Sequence, residues 1–184
     1  MVRFCFVVLL NVFVLISCNH NKEKLEIDYI QIENSILENK NRIDLIENWD
    51  EVKIISNAEF HLEVNSIKYF YLNGVLEKIE INYGIPFAEE ITILYLANKQ
   101  LSFVLEEKHF QKVKFLSSQE VLPIGEVNVT KEEYYFFANR IIYFSGRKFE
   151  SLESLNSFKI YKTKIYTELF YYLLKSELYI GKGS

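Results

Sequence analysis

Glu59, His61 and Glu63 alternate along one short segment. On a strand, residues two apart project from the same face. A carboxylate, an imidazole and a second carboxylate in one row form a donor set that suits a divalent cation. The competing reading is a solvated outer face, since Phe60, Leu62 and Val64 supply the apolar one. His109 is the second place to look for chemistry. Leu101, Phe103, Leu105, Val113 and Phe115 share odd parity with Glu107, His109 and Gln111. One continuous strand would therefore turn a polar trio toward the core. That trio would be a buried polar cluster, unless the strand outgrows its core or a bulge turns Phe110 inward instead. The acidic pairs Glu89-Glu90, Glu106-Glu107 and Glu132-Glu133 offer less. Adjacent strand residues point to opposite faces, so no pair makes a two-carboxylate site by itself, and solubilising charges are expected. The chain has no Gly-rich phosphate loop, no Gly-x-Ser-x-Gly elbow and no His-Glu-x-x-His. Catalysis, metal and cofactor are not expected. An enzyme built on His61 or His109 with nearby glutamates is the alternative.

These residues need a scaffold, and the periodicity describes one. From Ala58 to Phe144 apolar residues recur at a period of two. Phe60, Leu62 and Val64 lead into Ile67, Tyr69 and Tyr71. Asn73-Gly74 follows, the strongest short hairpin signal, because both turn residues must accept positive φ. Ile79, Ile81 and Tyr83 then return against Lys78, Glu80 and Asn82. Phe70-Tyr71-Leu72-Asn73, Tyr95-Leu96-Ala97-Asn98 and Phe136-Phe137-Ala138-Asn139 share a plan, with an aromatic residue three before Asn and an aliphatic one three after it. Asn tolerates the left-handed backbone of a tight turn. Each unit reads as strand, Asn-centred turn, strand. Tyr134 to Phe144 (YYFFANRIIYF) is then a hairpin whose aromatics build the sheet, against the alternative of an aromatic platform for a flat ligand. Both faces of this strand are apolar, so a helix covers the second face or aromatic surface is exposed.

Helices flank the strands. Leu25 to Glu38 fits either periodicity, while Ile43, Ile46, Trp49 and Val52 fall on one helical face, with Asn39-Lys40-Asn41 as the break between them. Leu155, Phe158, Tyr161, Ile165, Leu169 and Tyr172 predict an amphipathic helix over 154–178, capped by Ser151 or Ser154. Thr130-Lys131-Glu132-Glu133 matches a helix capping box, but the strand-like aromatics after it argue against a helix. The expected fold is α+β: an antiparallel β-meander of about six or seven strands built from Asn-turn hairpins, with an N-terminal helical segment and a C-terminal amphipathic helix.

The 184 residues are 49% apolar and 16% aromatic, with six Gly and two Pro. That excludes a disordered chain and favours strands. The formal charge of -4 argues against nucleic-acid binding, which needs a basic face. The first residues, MVRFCFVVLLNVFVLISC, carry one cation, Arg3, before the apolar run 4–16. That run is too short to span a bilayer as a helix and has the layout of a secretory signal. It ends in Leu15-Ile16-Ser17-Cys18, which resembles the lipobox of bacterial lipoproteins. The resemblance implies cleavage between Ser17 and Cys18 and acylation of the Cys18 thiol, with several acyl chains making a lasting anchor. The alternative is a plain signal or an anchor helix with Cys18 incidental.

A lipoprotein reading divides the chain into a signal peptide over 1–17, lipidated Cys18 with a tether to residue 24 that holds His20, and one domain over 25–184. The signal removes Cys5 and Arg3, so the mature chain has no thiol beyond Cys18 and its formal charge moves from -4 to -5. Asn19 stands where an aspartate would mark inner-membrane retention, which points to the outer membrane of a cell envelope. The hairpins also resemble a group of uncharacterised envelope proteins with repeated Tyr-Tyr-Phe-x-Asn-x-x-Leu units. The matches are Tyr69-Phe70-Tyr71 with Leu76, Tyr95 with Leu101, and Glu133-Tyr134-Tyr135-Phe136 with Ile142. That resemblance implies a fold and no activity. The functional expectation is a non-catalytic binding or structural module, held at a membrane by lipid, with a possible protein partner in the envelope. An immunity or inhibitor lipoprotein against a toxin or a cell-wall hydrolase is the alternative, because net negative charge suits a basic partner.

Overall fold

Three two-residue turns set the sheet. Asn73-Gly74, Asn98-Lys99 and Ala138-Asn139 all have positive φ, which matches the right-handed twist of the strands they join. The computed structural model describes residues 29–56, 64–85, 88–115 and 121–180. These form helix α1 (residues 29–44), then β1 (Glu51–Ser56), β2 (Val64–Leu72), β3 (Val75–Ile85), β4 (Ala88–Ala97), β5 (Gln100–Phe115), β6 (Val121–Phe137), β7 (Arg140–Ser145) and helix α2 (Leu152–Ile180). The strands pair antiparallel in the order β1-β2-β3-β4-β5-β6-β7. This is the expected α+β meander with a helix at each end. The chain divides into two compact units, Met1–Glu38 and Asn39–Ser184. The described part of the first is helical, and the second holds the whole sheet and α2.

Each tight hairpin carries a bulge at the same distance from its turn. The register slips between Phe70 and Tyr71, between Tyr95 and Leu96, and between Tyr135 and Phe136. The extra residues on the return strands are Glu77, Ser102 and Ile142. Buried Ser102 answers the local loss of pairing: its hydroxyl donates to the Tyr95 carbonyl at 3.0 Å, and the Asn39 amide donates to the Leu96 carbonyl at 2.9 Å. The units are therefore equivalent by turn position, with Tyr71, Leu96 and Phe136 on one face and Phe70, Tyr95 and Tyr135 on the other. The third turn is offset by one from the Asn-based alignment, since Asn139 is its second residue where Asn73 and Asn98 are first.

One face of the sheet packs on α2. Tyr69, Ile79, Leu94, Val104, Tyr134 and Phe136 meet Tyr166, Phe170 and Leu173 there, all buried. The helix starts where Ser151 and Ser154 exchange hydrogen bonds, the Ser154 amide donating to the Ser151 hydroxyl at 3.1 Å. Its buried stripe is rotated from the expected one. Tyr161 and Tyr172 lie in solvent, while Phe158, Tyr166, Phe170 and Leu173 face the sheet. The apolar residues go most of the way round this helix, so periodicity alone does not choose the stripe. The polar contacts of Lys162 with Glu106 and of Glu177 with Lys53 do.

The second face carries the ring chain Tyr95, Phe103, Tyr135 and Tyr143, with successive centroids 5.5, 4.9 and 5.1 Å apart. Residues 39–44 of α1 pack on its start. Ile43 is buried, the Tyr95 hydroxyl donates to Asp44 at 2.8 Å, and the Lys40 ammonium sits 5.7 Å from the Tyr95 and Phe103 rings. Asn39-Lys40-Asn41 is no break: α1 runs through it. The Asn39 amide is engaged with the sheet, and Lys40 pairs with Asp44 one turn on, so neither unwinds the backbone. The helix ends at residue 44, and Val52 belongs to β1. Thr130 to Glu133 is strand, as the aromatics after it require. YYFFANRIIYF builds the sheet: Tyr134, Tyr135, Phe136 and Ile141 are buried, and aromatic surface remains at Phe137 and Tyr143.

Candidate functional site

Residues 1–28 and 57–63, with Ser17, Cys18, His20, Glu59, His61 and Glu63, lie outside the described residues. Of the sequence candidates, the structure places His109 and the acidic pairs. β5 stays in register through Phe110, which pairs with Ala88 and Asn128. No bulge turns it inward, and it is exposed. The strand outgrows the core instead. His109 lies part-exposed on the second face, its Nε2 3.5 Å from Glu107 and without a hydrogen bond. Glu107 is bound more tightly by the Lys131 ammonium, which holds its carboxyl below the usual range, with burial opposing and His109 adding. Among the described residues no group of three or more His, Cys, Asp or Glu is placed to hold a metal ion.

The buried polar cluster lies on the opposite face, one residue away. Glu106 is 5% exposed and pairs directly across the sheet with Glu132. Above it, α2 contributes Lys162 and Tyr166. The Lys162 ammonium donates to both Glu106 oxygens, at 2.9 and 3.1 Å, and to the Tyr166 hydroxyl at 3.2 Å. The Tyr166 hydroxyl donates to Glu106 Oε1. The Tyr134 hydroxyl donates to Glu132 Oε2 at 2.5 Å and lies 3.3 Å from Glu106 Oε2. Arg147 closes the group, its Nη2 2.9 Å from Glu132 Oε1. Beside it Lys108 pairs with Glu90 at 3.1 Å. Three carboxylates thus meet three cations.

The electrostatics follow from this packing. Burial pushes the Glu106 carboxyl up, but the hydrogen bonds from Tyr166 and Lys162 outweigh it and leave it below the ordinary glutamate value. Tyr134 and Tyr166 are pushed far above the usual phenol range by burial first. Glu132 and Glu106 add to this at Tyr134, and Glu106 and Tyr134 add at Tyr166. Burial, with Glu90 and Glu106, lifts Tyr83 to about 12. The Tyr134 and Tyr166 hydroxyls therefore stay protonated and serve as donors. A smaller version fastens the other end of α2, where Glu177 accepts from the Tyr71 hydroxyl at 2.5 Å and the Lys53 ammonium at 2.9 Å.

Comparison with known proteins adds no assignment. No family model matches the chain, and neither a curated protein nor a solved structure is significantly similar to it. The site is read from its own residues. Within Glu106-Glu107 and within Glu132-Glu133 the two carboxylates point to opposite faces, because neighbours on a strand diverge. The usable signal was across strands: once β5 and β6 are registered, one glutamate of each pair shares a face with one of the other. Lys162 and Tyr166, one helical turn apart, complete the group.

Proposed function

We propose that this chain is a non-catalytic module of a cell envelope, held at a membrane by lipid on Cys18. The observation that supports the non-catalytic reading is the closure of the Glu106 cluster. Both Glu106 oxygens are filled by Lys162 and Tyr166, and the neighbouring charges pair with one another. A general base or nucleophile needs a free lone pair facing substrate. Here the most perturbed groups are turned on each other beneath α2, where they fasten the helix to the sheet. The lipobox, Leu15-Ile16-Ser17-Cys18, supports the anchor. No helix among the described residues is long and apolar enough to cross a membrane. The test is a turnover screen of purified protein on cell-wall, ester and phosphate substrates, run beside Glu106→Gln. The proposal predicts no turnover that depends on Glu106. A defined turnover that Glu106→Gln abolishes, with an unchanged circular dichroism spectrum, overturns it.

A further inference from the structure

Among the described residues, the outer edges of β7 and β1 and the free end of β5 are guarded. On β7 the Ile141 amide donates to the Thr163 hydroxyl at 3.2 Å, and the Ile142 carbonyl accepts from Lys159 at 3.0 Å. Helix α2 therefore occupies that edge. On β1, Lys53 stands midway between Val52 and Ile54, so a second copy paired about that point would set lysine against lysine. The free end of β5, beyond its pairing with β4, carries Lys112 and Lys114. Lysines on an edge oppose further pairing.

The outer edge of β6 differs. β7 pairs with Glu133–Phe137 only. The chain then leaves at Gly146, whose φ is +112° and whose added Cβ would overlap the Lys131 carbonyl oxygen. From residue 132 back to 121, no described strand lies outside β6. The segment Val127-Asn128-Val129 is symmetric about a neutral residue, and its valines are 51% and 48% exposed. No lysine or proline stands between Gly125 and Thr130.

We infer that this edge pairs with the same edge of a second copy, antiparallel about Asn128. Asn128 then faces Asn128 of the other copy, and Val127 faces Val129. Four half-exposed valines close over one another on one face, and Lys131 meets no lysine, because the other strand turns away at Gly125, whose φ is +91°. The contact is two-fold and self-complementary, so it closes at a dimer. One strand pair lies at the small end of specific interfaces, so the contact is reversible in dilute solution.

The test uses the full chain purified from membranes. Directly opposed Cα atoms in an antiparallel pair lie within disulfide reach, whereas two copies of residue 131 would sit about 20 Å apart after six residues of strand rise. Asn128→Cys should cross-link under mild oxidation roughly tenfold faster than Lys131→Cys, given that difference in reach, with wild type setting the background. Sedimentation equilibrium should show wild type rising toward twice the monomer mass with concentration, and Asn128→Lys staying monomeric. Equal cross-linking of the two cysteine variants overturns the inference, as does a monomer at every concentration. Protection of the 126–130 amides by an unrelated extended peptide, with no self-association, also overturns it and makes the edge a peptide site.

Discussion

Removing either partner of the Glu106–Lys162 pair should destabilise the fold far more than loss of a surface ion pair does. The side chains are 6% and 14% exposed, so the cost is that of stranding a shielded charge, about 3–5 kcal/mol, rather than the 0–1 kcal/mol of an exposed pair. Each kcal/mol moves the midpoint of a chain this size by roughly 2–4 °C, so Lys162→Met should lower Tm on the order of 6–20 °C. Glu106→Gln keeps an acceptor for Tyr166 and should fall at the lower end. The double variant should recover part of the loss, because Met at 162 packs among Tyr134, Phe158 and Tyr166, whose rings now surround the ammonium. Urea unfolding of the four proteins, followed by Trp49 fluorescence, gives the coupling directly. The losses should fail to add by about 1–3 kcal/mol. Additivity within about 0.5 kcal/mol would refute the claim that the two residues act as one unit, and with it the structural reading of the cluster.

Acid should weaken the fold through the same contacts. Burial opposes, but Tyr71 and Lys53 hold the Glu177 carboxyl below its ordinary value, as Tyr166 and Lys162 hold Glu106. Carboxylates lowered in the fold contribute fully above the unfolded value, about 4.3, and lose that contribution as pH falls through the folded one. Thermal melts should therefore be flat from pH 7 to about 5 and fall below that, with a shallower fall in Glu177→Gln. In base, burial raises Tyr83 to about 12 and lifts Tyr71, Tyr95, Tyr134 and Tyr166 further. Their contribution is whole below the unfolded phenol value, about 10, and is lost as pH rises beyond it. Ultraviolet titration should show these five ionising only with unfolding.

The parts of the fold governed by local rules were legible in the sequence. Asn73-Gly74 reports its turn because both residues must hold positive φ, and alternation along 78–83 reports which side of β3 is buried. The capping serines of α2 were legible for the same reason. What depended on tertiary partners was not. The third turn begins one residue before its Asn because Ala138 adopts positive φ, a conformation that alanine has no local preference to report. The buried stripe of α2 is chosen by Lys162 and Glu177 reaching carboxylate and hydroxyl partners on distant strands, and an apolar period cannot see them. The parity of β5 points to a polar cluster at His109, but the cluster lies at Glu106, because Leu101 to Glu106 is buried on both faces. In a two-sided strand, parity does not separate inside from outside.

The most direct test of the account is radiolabelled palmitate incorporation by wild type and Cys18→Ala, with fractionation of the cells. The account predicts label and membrane location for the wild type, and neither for Cys18→Ala. Membrane location of both proteins without label would contradict the lipid anchor, and so would an unlabelled wild type in the soluble fraction.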